Sequence, residues 1–270
     1  MTGSAVPAGS AAAVPVLRYH SVCDDPPDWI APYTVTPRLF ARQLDRLAAA
    51  GREVVPLRRL LAAQRGGPPP AGPCAVLTFD DGFADFFETV VPVLAERELP
   101  ATLFVTTGAV TVPGRAPAGG PLPPAAMLDW RRIAALEGYG VEVGAHSHTH
   151  PRLDGLPARR LAAEVEGSKR RLEEVLDRPV TSFAYPYGRC GPQVRRRVRE
   201  AGFTAGCAAR DAFSSPADDP YRLARLTVTA TTGPERFEAW AHGRGAPVAP
   251  FDGVRGAGRR VRALLGGSAG

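Results

Sequence analysis

Short runs dominated by apolar residues recur along the chain, and amphipathic stretches separate them. The runs at 14–20, 74–79, 101–106, 141–145, 180–185, 203–208 and 223–229 read as strands, short and bordered by Gly, Pro or Asp. Those at 74–79 and 101–106 are apolar enough to be buried on both faces. Thr36 followed by Pro37 opens a helix that runs to about Ala50. Leu39, Phe40, Gln43, Leu44 and Leu47 form its stripe, and Gly51 ends it. Further helices are expected from just after Gly82 to about Glu98, and at about 125–137, 157–177 and 191–201. Residues 21–36 and 65–73 read as loops, and 107–124 as a Pro/Gly-rich loop long enough to rim or cover a substrate site.

Alternating strands and helices imply a parallel α/β architecture. Polar clusters sit where three of the buried strands stop: Asp80-Asp81, His146–His150 and Tyr185–Gly188. In parallel α/β folds the carboxyl ends of the strands carry the site, so three clusters at equivalent positions outweigh any one of them.

Composition narrows the alternatives. The chain has 270 residues, 44% hydrophobic and 22% charged, which suits one globular domain with a sizeable core. Its net charge of +6 is almost wholly arginine, Lys169 being the only lysine. These arginines are interleaved with Glu164, Glu166, Glu173, Glu174 and Glu200, and the densest cluster, 195–199, holds no aromatic residue. A solvated surface is the better reading, and no nucleic-acid partner is expected. The four cysteines, Cys23, Cys74, Cys190 and Cys207, form no CxxC pair and read as reduced thiols. No apolar run reaches membrane-spanning length and the first 14 residues do not read as a signal peptide, so a cytoplasmic protein without a membrane partner is expected.

Asp80 and Asp81 are adjacent, so their side chains diverge and can do two jobs: hold a metal and take a proton. Asp-Asp-Gly is also good turn chemistry. His146, His148 and His150 place three of the five histidines within one pentapeptide. Two imidazoles and a carboxylate leave coordination positions open for water, as a catalytic metal site requires.

Three segments in order, Thr78-Phe79-Asp80-Asp81-Gly82, His146-Ser147-His148-Thr149-His150 and Tyr185-Pro186-Tyr187-Gly188, resemble the motifs of the polysaccharide deacetylases, the NodB-homology or carbohydrate esterase family 4 group. The resemblance runs from about residue 14 to about 240. It implies a single-domain distorted (β/α) barrel of about seven strands and one divalent metal, zinc foremost, with cobalt, nickel, manganese and iron as alternatives. By position, Asp81, His146 and His150 are its ligands, Asp80 the general base, and Tyr187 the backbone donor to the oxyanion. His148 matches no ligand and is given a rim role. The family's frequent late Leu-x-His is absent; Arg18-Tyr19-His20 instead resembles a branch with an N-terminal Tyr-His, so His20 is favoured over His242 as the acid. Ala184 stands where many members have an arginine that orients the aspartate. Arg225 is expected to replace it, with Arg222 as the alternative or a rim residue. The aspartate-tryptophan motif of many members is also missing.

The implied domain layout is a disordered 1–13, a barrel over 14–242 and a Gly/Arg-rich tail over 243–270, with at most a short helix at 258–265. The implied activity is removal of an N-acetyl or other N-acyl group from an amino sugar or amino-sugar-bearing metabolite. Two alternatives stand beside it: hydrolysis of a non-sugar C–N amide, and a metal-bearing glycan binder without catalysis. Trp29, Tyr33, Trp130 and Tyr187 are candidates for a sugar platform.

Overall fold

The apolar hexapeptide Cys74–Phe79 becomes a strand buried at every residue, and the other apolar runs assemble on either side of it. A computed structural model describes residues 13–112 and 121–249. Its strands are β1 (Val16–Tyr19), β2 (Ser21–Val22), β3 (Thr34–Val35), β4 (Glu53–Val54), β5 (Cys74–Phe79), β6 (Ala101–Val105), β7 (Val141–Ala145), β8 (Ser182–Ala184), β9 (Ala205–Cys207) and β10 (Leu226–Thr227). Seven of these form a parallel sheet in the order β10-β1-β5-β6-β7-β8-β9, with β4 added at the start of β5. Leu223 bridges Cys207 of β9 while Leu226 and Thr227 pair with β1, so segment 223–227 joins the two edges. The sheet is thereby curled into the expected distorted (β/α) barrel.

Strand alternation decides what faces where. Leu17, Tyr19, Leu77, Phe79, Leu103, Val105, Val143 and Ala145 share one core cluster with helix residues Phe40, Leu44, Val90, Leu161, Val165 and Val194. Val16, Val76, Phe104, Ala184 and Cys207 belong to a second cluster inside the curl. Arg18, Thr78 and Asp80 share the register of Val16 and Val76, and so face the interior at its C-terminal end.

The helices are α1 (Pro37–Ala49), α2 (Leu57–Gln64), α3 (Val91–Glu96), α4 (Trp130–Ala135), α5 (Ala158–Leu176), α6 (Pro192–Glu200) and α7 (Pro234–Ala241). In α1 the Thr36 side chain caps the Leu39 N–H and Gly51 turns left-handed (φ 69°), as its residue types dictate. The stretch after Gly82 opens as a wide turn of π type at Phe86–Val90, because Pro92 has no N–H to continue a regular ladder. The helix expected at 125–137 begins only at Trp130, capped by Asp129. Residues 127 and 129 are extended instead, bridging Phe83 and Thr111.

Five elements fall outside the sequence expectation. β2 and β3 pair within the presumed loop 21–36, and β4, α2 and α7 occupy stretches given no element. Leu57, Leu60 and Leu61 of α2 pack on Val14, Val16, Cys74 and Val76, closing the N-terminal mouth of the barrel. Ordered packing also continues past 242: Phe213 bridges Val248, and Ala249 is buried. Of the disorder expected over 1–13, the loop expected over 107–124 and the helix expected at 258–265, residues 1–12, 113–120 and 258–265 lie outside the described residues. No helix among those described is long and apolar enough to cross a membrane.

Candidate active site

The carboxyl ends of β1, β5, β7 and β8 converge on a cavity of about 380 Å³. Asp80, Asp81, His146 and His150 lie in it, with Arg18, His20 and Tyr187 around them. Trp29, Ile30, Tyr33, Leu122 and Pro123 complete the wall. Trp130 borders a neighbouring cavity instead, so three of the four candidate platform aromatics meet here.

Asp80 and Asp81 leave β5 with opposite fates. Asp80 is 1% exposed, and Arg225 grips it from both ends: Nη1 to Oδ1 at 2.7 Å and Nη2 to Oδ2 at 2.8 Å. Arg225 is itself 0% exposed, donating also to the Ala208 carbonyl and Thr78 hydroxyl. Burial alone would raise the Asp80 pKa, but the Arg225 guanidinium and its hydrogen bonds outweigh it and hold the carboxyl well below its ordinary range. Asp81 has no such partner. Its Oδ1 is buried without a hydrogen bond, and burial followed by the charge of Asp80 pushes its pKa up to about 8.

The orphaned oxygen faces two imidazoles. His146 Nε2 lies 3.6 Å from Asp81 Oδ1 and His150 Nε2 3.4 Å from it. The three ligand atoms all fall within 4.8 Å of one another. His146 Nδ1–H donates to the Ala184 carbonyl at 2.8 Å, which leaves the Nε2 lone pair turned toward Asp81. Burial lowers the pKa of both histidines, that of His150 to about 3, so both present neutral imidazoles. A buried carboxylate oxygen without a donor, opposite two neutral nitrogens, fits a divalent cation; without one, like lone pairs face each other.

The loops are built to hold this geometry. Of the seven non-glycine residues with positive φ among those described, four are here: Asp81 (77°), Ser147 (61°), His150 (54°) and Tyr187 (59°). Such backbone persists only where the surroundings over-determine it, and it gathers at functional sites. Glu164 of α5 supplies part of that constraint for the histidine loop, accepting from the His148 N–H at 2.9 Å and the Thr149 N–H at 2.7 Å. Ser147 Oγ accepts from the His150 N–H at 3.0 Å. Gly188 follows Tyr187 with φ 68° and passes so close to Ala209 that no Cβ would fit. The Tyr187 N–H meets no acceptor among the described residues.

The other candidates separate clearly. His20 lines the cavity, while His242 caps the end of α7, its Nδ1 on the Glu238 carbonyl, and does not. His148 turns to Thr107 (2.9 Å) and borders the neighbouring cavity. Arg222 is exposed and lines no part of the Asp80 cavity; its carbonyl accepts from Arg210. The cluster 195–199 is largely matched: Arg195 to Asp219, Arg196 to Glu200, Arg197 to Glu166, and Arg199 over the Tyr221 ring. Sequence reasoning missed two residues. Glu164 falls between Leu161 and Val165 on the buried stripe of α5, an anomaly readable from periodicity alone. Arg18 is a lone charge in an apolar strand whose position faces the interior.

The family model for polysaccharide deacetylases matches residues 67–206. The chain belongs to the polysaccharide deacetylase family. The matched span contains all three strand-end clusters. YxkH of Bacillus subtilis, a curated protein named for polysaccharide deacetylation, is 21% identical over 229 residues, covering 85% of this chain and 76% of its own. Among solved structures, IcaB from Ammonifex degensii is 29% identical with a TM-score of 0.74, covering 86% of this chain and 98% of that one. The deacetylase PplD of Streptococcus pyogenes, solved with acetate, shares the fold at 24% identity and a TM-score of 0.73, over 84% of this chain and 96% of that one.

Proposed function

We propose that this polysaccharide deacetylase is a metal-dependent hydrolase that removes an N-acetyl group from an amino sugar. One observation carries the reading: a carboxylate locked in its ionised form by Arg225 stands next to an unpartnered carboxylate that faces two neutral imidazoles. A pure binding site has use for the second arrangement and none for the first. Membership of the polysaccharide deacetylase family supports the same chemistry.

Asp81, His146 and His150 are the residues that would hold the cation, with zinc the first choice for a two-histidine, one-carboxylate set. When bound, the cation polarises the acyl carbonyl and acidifies water. Asp80 takes the proton from the attacking water, and Arg225 keeps it charged and aimed until then. The free Tyr187 N–H, presented by the left-handed turn, stabilises the oxyanion as charge develops. The departing amine needs a proton, and we assign its delivery to His20. Burial and then Arg18 hold His20 neutral, its pKa down to about 3, so it donates only after receiving a proton within the substrate complex. Trp29, Tyr33 and Tyr187 offer apolar faces to a sugar ring.

The test is acetate release from N-acetylglucosamine and its oligomers, with zinc or cobalt added and Asp80→Asn alongside. Metal-dependent release that falls by about 10²–10⁴-fold in the variant is expected. Equal release from both proteins would remove Asp80 from the reaction.

A further inference from the structure

We infer that Arg18 makes the cavity selective for N-acyl amino sugars that carry an oxyanion, a carboxylate or a phosphate, on the amine-bearing fragment. The inference rests on the N-deacetylase reading and deepens it. Arg18 lies on β1, two residues before His20, so both side chains turn to the same interior face and both line the cavity. A group held by Arg18 is therefore on the side where the leaving amine is protonated, not on the acyl side.

The charges of the cavity leave Arg18 unmatched. Asp80 is fully engaged by Arg225, and Asp81 faces the two histidines. Arg18 makes no ion pair among the described residues. Its one side-chain hydrogen bond among the described residues runs from Nη2 to the neutral Thr227 hydroxyl at 2.7 Å. Among the described residues its Nε–H is buried without an acceptor and its Nη1 has no hydrogen-bond partner. A half-buried guanidinium with most of its donors unused is costly to keep unless something answers it.

Its placement is also supported from behind. Arg18 and Thr227 are cross-strand partners, and the Thr227 hydroxyl and N–H both donate to Asp211 Oδ1, at 2.8 and 3.2 Å. That chain fixes one edge of the fork and leaves the rest available for a planar oxyanion, the geometry at which arginine excels. Loading the site with a divalent cation adds positive charge and strengthens the preference.

The experiment compares N-acetylglucosamine with derivatives bearing a carboxylate or a phosphate at C3 or C6, using the metal-loaded enzyme. The reading expects at least one anionic member to exceed the neutral parent in kcat/KM, and Arg18→Met to cut that anionic-to-neutral ratio by about 10- to 100-fold. Arg18→Lys should restore part of it, and Thr227→Val should lower it in the same direction without touching the charge. Calorimetric binding of the same pair to Asp80→Asn gives the ratio without turnover. The carboxylate and phosphate arms tell the two sources of oxyanion apart. A wild-type ratio near one, or a ratio that Arg18→Met leaves intact, overturns the inference while release from the neutral parent leaves the deacetylase standing. Release from no member overturns both.

Discussion

At the N-terminal end of the sheet a cavity is lined by Arg58, Glu137, Glu142 and Arg178. There Arg178 pairs with Glu137, and Glu142 accepts from the Ser182 hydroxyl at 3.0 Å and the Arg58 N–H at 3.4 Å. Its one left-handed lining residue is Gly140, at which the conformation costs nothing. At the C-terminal end the same sheet leaves Asp81 Oδ1 and Arg18 Nε without partners and holds four side-chain-bearing residues at positive φ. Both ends carry charge, so charge alone does not mark the site. What sets the C-terminal end apart is that unmatched charged atoms and left-handed, side-chain-bearing residues gather in one cavity.

The sharpest break in that contrast is at the ligands. His146→Ala should abolish the one-per-chain divalent cation measured by elemental analysis. Acetate release should then fall beyond the roughly 10–100-fold that removal of an outer hydrogen bond to a ligand costs. Full metal content in His146→Ala would show that the orphaned Asp81 oxygen is answered by something else.

Arg225 tests whether the locked pair belongs to the strained end in energy as well as geometry. Arg225→Met strands a buried carboxylate and should cost about 3–5 kcal/mol in denaturant unfolding. Arg225→Met combined with Asp80→Asn should recover much of that, since no charge is then left unpaired. If the double variant is no more stable than Arg225→Met alone, the cost is lost packing over Phe104, whose ring lies 5.5 Å away.

These two residues also mark what the sequence can and cannot convey. The bounds of β5 and β7 are legible to the residue, because buried parallel strands are continuous apolar runs with polar stops. Arg225 is preferred to Arg222 for its place in the apolar run 223–229, although the strand formed there, β10, starts only at Leu226. β2 and β3 were not legible, since a two-residue pair leaves no periodicity. α2 was legible in principle, Leu57, Leu60 and Leu61 having helical spacing. The left-handed backbone at Asp81, Ser147, His150 and Tyr187 was beyond reach: Asp and His are enriched there but few residues of any of these types adopt it, so tertiary contacts decide. Arg18 was hidden differently: only the curl of the sheet reveals that its face is the cavity.

Acid should erode the functional end first. His20 has its pKa lowered from the usual 6.5 to about 3 by burial, then by Arg18. The folded state therefore binds its proton more weakly than the unfolded chain does. The contribution is fully present above about pH 6.5 and is lost as pH falls toward about 3, at no more than about 1.4 kcal/mol per pH unit. His146 and His150 shift the same way while the raised pKa of Asp81 works in the opposite sense, so the wild type should weaken on balance across this window. His20→Gln should show a shallower loss between pH 7.5 and 5.0 in denaturant midpoints. An unchanged slope would mean that His20 stays solvated and is free to hold its proton near neutrality, which would also ease its role as the donor.

The smallest effect belongs to the other end of the barrel, and its smallness is informative. Arg178 and Glu137 sit at the surface, with side chains 28% and 66% exposed, and water screens most of their attraction. Arg178→Ala should lower stability by less than about 1 kcal/mol. It should leave metal content and acetate release at wild-type values, because nothing on that face touches the strands' carboxyl ends. A change in kcat/KM on Arg178→Ala would mean that the two ends are coupled through β7 and β8, which run between the cavities. Silence there, set against the collapse expected for His146→Ala, would place the function wholly at the end where the polar atoms go unmatched.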